Sequence, residues 1–153
     1  MARARKQSSG GLPDSDYLEA LSRRIMAAGL SWSVVEDRWE AIRIALHAFE
    51  PEWVAALDQA AADAVLRAPR MLRNPGKLGA VIANARVIAD LSAGHGSLAA
   101  WLESRRELPW ADRAAEWKHR FSRVGERTAW RFLKEVGEPV PEPPPWEGDA
   151  AGS

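Results

Sequence analysis

Phe121-Ser-Arg-Val-Gly-Glu-Arg-Thr-Ala-Trp-Arg-Phe-Leu-Lys-Glu-Val-Gly137 is the stretch on which the fold turns. Ala114, Trp117 and Phe121 lead into it at helical spacing, and Ala129, Phe132, Leu133 and Val136 lead out of it. Between the two patterns is a turn too short for a strand, with Gly125 at its tip. Glycine there is free to take φ > 0 and lets another backbone come close. The amides around Gly125 open the next helix, so they point outward unpaired, where the macrodipole favours an anion. Arg120, Arg123 and Arg127 surround that spot. A phosphate-binding hairpin and a plain αα-turn with a glycine cap both fit these residues.

Composition limits the choices. The chain has 153 residues, 46% of them hydrophobic, with β-branched runs scarce, which points to one all-α domain. Lys plus Arg and Asp plus Glu both number 21, so the net charge is zero and any nucleic-acid contact has to come from local patches. There is no cysteine, which excludes disulfides and thiolate metal sites. His47, His95 and His119 are too scattered to form a metal site, so neither metal nor cofactor is expected. With no signal peptide and no long apolar run, the expectation is a cytoplasmic protein with no membrane contact. Eight tryptophans are many for this length; most should be core, but such rings also stack on bases.

Three segments are expected. Residues 1–12, with Arg3, Arg5 and Lys6, read as a disordered basic arm; 13–137 form the helical domain; 138–153, with five prolines, read as a disordered tail. Within the domain, Pro13 and Asp14 start a helix that Gly29 stops. Ser33 and Glu36 form a capping box for a second helix reaching about Phe49, with Val35, Trp39, Ile42 and Leu46 inward. Pro51 opens a third helix and Asp58 caps a fourth. Asn74 and Pro75 start the long helix from Gly76 to about Ala93, and Ser97 caps a short one. With the two hairpin helices the total is about eight.

Three collinear blocks carry a more specific signal. They are Ala28-Gly29-Leu30-Ser31-Trp32; Met71-Leu72-Arg73-Asn74-Pro75-Gly76-Lys77 with Ala83-Asn84-Ala85-Arg86; and Phe121 through Val124-Gly125 to Phe132 and Gly137. In order and spacing they resemble the DNA-3-methyladenine glycosylase I family of the helix-hairpin-helix superfamily, over roughly residues 14–137. The resemblance implies an all-α, helix-hairpin-helix glycosylase-like domain. It also implies a monomer that binds double-stranded DNA, flips an alkylated purine out of the stack and excises it.

The resemblance gives Leu30 the role of an apolar wedge and Trp32 that of a pocket wall; packing between two helices is the alternative for both. Arg73, Lys77, Arg123, Val124, Gly125 and Arg127 would hold backbone phosphates, while Asn84 and Arg86 would be structural, Asn84 bonded within the long helix.

The chain also departs from the family. The N-terminal segment with aromatic pocket residues and zinc ligands is replaced by the basic arm. Arg24 stands where the family has the glutamate that recognises the methylated purine, and Glu19 is more than a turn away on the same helix. A cation there repels a cationic base. Arg127 occupies the position of the lysine nucleophile of bifunctional relatives, and arginine is too basic to form an imine at neutral pH. No fixed carboxylate follows the hairpin, so the catalytic residue stays unassigned. These departures keep a second reading open, a non-catalytic DNA-binding or damage-sensing protein, and a third, a helical interaction protein whose tryptophans are all core.

Overall fold

Helix α5, Pro75–His95, runs through the middle of the molecule, and α1, α3, α4 and α6 pack against it. The computed structural model describes residues 11–147. Among them are α1 (Asp14–Ala27), α2 (Trp32–Ala45), α3 (Pro51–Ala55), α4 (Gln59–Leu66), α5, α6 (Leu98–Ser104), α7 (Trp110–Arg120) and α8 (Glu126–Glu135). The expected basic arm lies outside the described residues up to position 10.

The starts of these helices follow local chemistry. Asn74 Oδ1 accepts from Lys77 N with Pro75 in the first turn, Asp58 Oδ1 accepts from Ala61 N, and Ser97 Oγ accepts from Ala100 N. Each bond satisfies one of the amides that a helix start leaves unpaired, a contribution of about 1 kcal/mol. Helix α2 starts earlier than the expected capping box. Leu30 N donates to Ala27 O, and the cap is Ser31, which accepts from Val34 N, while Ser33 only shares a hydroxyl contact with Ser31. At its other end α2 stops at Ala45. His47, Ala48 and Phe49 all take positive φ (56°, 56° and 58°), swinging the chain into α3. The inward residues expected for α2, Val35, Trp39, Ile42 and Leu46, are all buried.

Aromatic rings tie the hairpin to the centre. Trp117 stacks on Phe121 at 4.2 Å between centroids and tilts against Phe132 at 5.3 Å, and Phe132 meets the edge of Tyr17 on α1 at 6.5 Å. Trp39 stacks on Phe49 at 5.4 Å behind the α2–α3 turn. These pairs fix angles between helices as well as burying area.

At the C-terminal side of α8 the expected disorder does not hold for residues 138–147. Gly137, at φ 89°, ends the helix with bonds from Gly137 N to Lys134 O and from Glu138 N to Leu133 O. Glu138 is then buried and takes both guanidinium nitrogens of Arg106 at 2.9 Å. Trp130 Nε1 donates to Pro141 O at 2.8 Å, and Trp146 meets Trp130 edge-on at 5.7 Å. Prolines keep most of this segment out of a helix, but they do not forbid packing, and residues 145–147 take up a helical turn with Pro145 at its start.

A second ionic clamp staples α6 to α7. Glu116 accepts from Arg105 at 3.1 and 3.2 Å and from Arg120 at 3.0 Å. Burial pushes the Glu116 carboxyl up, but the two guanidiniums outweigh it and hold it below its usual value. A depressed folded pKa contributes stability above the unfolded value, about 4.3, and loses it as pH falls through the folded one. Glu116→Gln is therefore expected to cost about 1 kcal/mol at neutral pH. Part of the acid-induced fall in melting temperature should disappear with it, as thermal melts between pH 3 and pH 7 would record.

Candidate nucleic-acid interface

The turn from α1 to α2 is built so that apolar side chains leave the core. Gly29, at φ 78°, supplies the left-handed step that a side chain resists. Beyond it Leu30 is 44% exposed and Trp32, the first residue of α2, is 48% exposed. Both side chains thus stand largely outside the core, while Leu21 and Ile25 of α1 and Val35 and Trp39 of α2 are buried in it.

Lys77 is buried, at 7% exposure, and this removes it from the expected set of phosphate ligands. Its ammonium donates to Met26 O at 2.8 Å and to Ala28 O at 2.6 Å, the orphan carbonyls at the end of α1. Burial, and then the Arg123 charge, push its pKa down. Lys77 is thus a tether between the first turn of α5 and the turn that carries Leu30 and Trp32.

The hairpin reaches the same place from the other side. Arg123 has φ 60°, so the left-handed residue of the turn is Arg123 and not Gly125. Gly125 is extended (φ −98°, ψ −170°) and caps α8, and a Cβ placed on it would meet no neighbour within 4 Å. Its glycine character is therefore not required by backbone strain; what it leaves is bare main chain in front of α8. Arg123 lies across the first turn of α5, with Nη2 2.5 Å from where a Gly76 Cβ would sit, so Gly76 is required by close approach. Val124 is buried and offers only backbone outward. Asn84, fully buried on α5, bonds to the hairpin rather than within its own helix: Ser122 N donates to Oδ1 at 2.7 Å and Nδ2 donates to Ser122 O at 3.1 Å. Arg86 donates to Ala55 O and Leu57 O and closes the end of α3.

Of the nominated residues, Leu30, Trp32, Arg73, Arg123 and Gly125 are exposed, and Lys77 and Gly76 in the first turn of α5 link the Leu30–Trp32 turn to Arg123 of the hairpin. Others the fold draws into internal pairs. Arg24 on α1 donates through Nε and Nη2 to Glu135 on α8 at 3.0 and 2.8 Å. Glu19 accepts from Trp39 Nε1 at 2.8 Å and faces Arg23 and Arg43 at 3.7 and 3.6 Å. Arg127 lies 5.2 Å from the Trp146 ring. Glu135 was not nominated; an exposed glutamate near the end of a basic helix carries no sign in sequence of a partner 111 residues away. An open depression of about 820 Å³ near the start of α1 and the end of α5 contains none of the nominated residues. Among the described residues no group of three or more His, Asp or Glu side chains could hold a metal ion, and no helix is long and apolar enough to cross a membrane.

Known proteins are similar to this chain in sequence and in fold. Residues 11–126 match the methyladenine glycosylase family. DNA-3-methyladenine glycosylase 1 of Escherichia coli K12 is 33% identical over 84 residues, covering 53% of this chain and 45% of that protein. The chain thus matches less than half the length of that relative. A 3-methyladenine DNA glycosylase I from Staphylococcus aureus superposes with a TM-score of 0.72 at 23% identity, over 82% of this chain and 77% of that one. A 3-methyladenine DNA glycosylase I solved in complex with 3-methyladenine gives 0.71 at 23% identity, over 83% and 80%. At this identity the two structures speak for the fold, an all-α helical one. The match over residues 11–126 spans most of the chain, and the protein belongs to the methyladenine glycosylase family.

Proposed function

We propose that the chain is a monofunctional DNA N-glycosylase of base-excision repair, acting as a monomer on alkylated purines of the 3-methyladenine kind in double-stranded DNA, without cofactor or metal. The observation that carries this is the contiguity of Leu30 and Trp32 with the hairpin through Lys77, Gly76 and Arg123. One rigid face offers an apolar tip, a flat ring and bare amides with a cation, the components needed to grip a strand and hold one base outside the stack. A cytoplasmic, nucleoid-associated protein fits that activity.

In this reading Arg73, Arg123 and the Gly125 amides hold the backbone, Leu30 fills the gap, and Trp32 stacks on the flipped base. Alkylation weakens the glycosidic bond by making the base a cationic leaving group, so water can complete the hydrolysis with little acid catalysis. The Arg24–Glu135 pair beside this face bears on substrate choice. A paired guanidinium neither attracts nor strongly repels a cation, whereas the free glutamate of the family would attract it. Arg127 cannot serve as an imine nucleophile, so the abasic strand stays intact. The same Arg24–Glu135 pair, with Glu19 committed to Trp39, favours one other reading, a damage sensor that binds without excising.

Incubation with methylated duplex separates them. Free base released over an unbroken strand is the expected result, and Arg24→Glu should raise release of 3-methyladenine by placing an unpaired carboxylate beside Glu135. Strand nicking would overturn the monofunctional reading, and binding without release would leave the sensor. Gly125→Val, which has room to fold, should weaken binding to every duplex by about tenfold by shielding amides worth about 1–1.5 kcal/mol, as fluorescence anisotropy would read.

A further inference from the structure

The segment after α8 lies on a face with its own charge pattern. Arg127, Arg131 and Lys134 recur at helical spacing along α8, with Trp130 among them, and the three cations are exposed. Past Glu138, which turns to Arg106, the chain brings Pro141, Glu142 and Trp146 onto this face, and residues 139–147 carry two carboxylates and no cation. Glu142 pairs with Lys134, and the Trp146 ring lies 5.2 Å from the Arg127 guanidinium and 6.0 Å from that of Arg131. Trp130 is the anchor, bonded to Pro141 O and set edge-on to Trp146. Among the described residues neither arginine is in an ion pair, so the segment neutralises one cation and lies over two that keep their charge.

Arg127 is one residue past the first turn position next to Gly125, so this face begins where the hairpin ends. From Arg127 to Lys134 is about 10 Å along the helix, a reach of about three nucleotides of one strand at ~3.4 Å each. We infer that this face of α8 is a second phosphate-contacting surface, continuous with the hairpin, and that residues 142–147 are an acidic strap that occupies it in the absence of DNA. The inference rests on the duplex-binding reading above. Exposed carboxylate–ammonium pairs and exposed cation–π contacts are individually weak, so a strand of phosphates can displace the strap. The cover lowers affinity for duplex and screens out polyanions that cannot also engage Leu30, Trp32 and the hairpin. The Arg106–Glu138 pair and the Trp130–Pro141 bond lie before the strap, so residues up to 141 stay docked when it lifts.

The test compares wild type with Glu142→Gln/Trp146→Ala/Glu147→Gln and with a chain ended after Pro141, using an unmodified duplex of about 20 base pairs titrated from 50 to 200 mM salt. Circular dichroism checks that both variants are folded. The expected result is about fivefold tighter binding at 50 mM salt for both variants. The log–log salt dependence should steepen by about 2, because two or three further phosphates are neutralised at ~0.9 each. Adding Arg127→Gln/Arg131→Gln to the strapless chain should remove the gain. Unchanged affinity and slope in both variants, with wild type binding normally, would reduce the segment to packing. Weaker binding would make Trp146 a DNA contact and overturn the strap. If no form binds duplex at 50 mM salt, the duplex-binding reading falls and takes this inference with it.

Discussion

Trp32→Ala should lower base release from methylated duplex by roughly 5- to 150-fold while moving the melting temperature by less than about 2 °C. The first figure follows from the ring's assigned task, since stacking an aromatic side chain on a base is worth about 1–3 kcal/mol. The second follows from its position. Trp32 is nearly half exposed at the first position of α2, and the cap that starts the helix is Ser31, which the substitution leaves in place. Alanine is also a better helix former than tryptophan, which offsets part of the lost area. Leu30→Ala belongs to the same experiment. A buried leucine would cost about 2–5 kcal/mol when truncated, but Leu30 is 44% exposed and should cost well under the lower figure. Its loss should appear as slower flipping, followed by a fluorescent base analogue opposite the wedge, with binding to intact duplex unchanged. Melting temperatures that collapse in either variant while base release holds would return both residues to a packing role.

Elements with local causes were legible. Asn74 before Pro75, Asp58 and Ser97 each carry their capping partner three residues away, so the start of a helix could be read without knowing what packs on it. The same locality produced an ambiguity at α2. Ser31 and Ser33 can each cap a helix, and the turn that joins Leu30 N to Ala27 O decides in favour of the first. The exposed positions of the proposed interface, Leu30, Trp32 and the Gly125 turn, are nominated by the resemblance of whole blocks, because spacing carries information that a single apolar residue does not; what the structure adds is that Leu30 and Trp32 leave the core.

What sequence could not give is long-range. The family resemblance puts Lys77, in a basic stretch, among the phosphate ligands. Its aliphatic stem, however, follows Leu78 inward, and its ammonium finds two carbonyls about fifty residues away. Arg24 and Glu19 were read as free groups beside a pocket, and both are spent on partners that only the packing of α1 against α2 and α8 brings near. The segment after Gly137 shows a different limit. Composition reports that prolines cannot join a helix, and from that a tail without structure is a natural reading. Packing needs only apolar surface and satisfied amides, and five prolines and a tryptophan supply the first while removing much of the demand for the second.

Asn84→Leu should be the most destabilising single change at this interface, at about 2–4 kcal/mol. Asn84 is fully buried, and its amide answers both the N–H and the C=O of Ser122, the residue just before Arg123 and Gly125. Leucine keeps the volume but strands two main-chain groups in the interior, each costing about 1–2 kcal/mol. At roughly 2–4 °C per kcal/mol for a chain of this size, the melting temperature should fall by about 4–16 °C. Duplex affinity should fall further than the unfolded fraction explains, because the hairpin loses the bond that fixes its turn on α5. Asn84→Asp provides the control. Its ionised form accepts from Ser122 N but cannot donate to Ser122 O, and it buries a charge, so its folded pKa is raised above about 3.9. The variant should therefore be least impaired at low pH, where the protonated carboxyl donates as the amide did, and lose stability as pH rises through the folded pKa. An Asn84→Leu variant that melts with the wild type, together with an Asn84→Asp variant whose stability does not change between pH 4 and pH 8, would mean that volume, and not the pair of bonds to Ser122, is what Asn84 contributes.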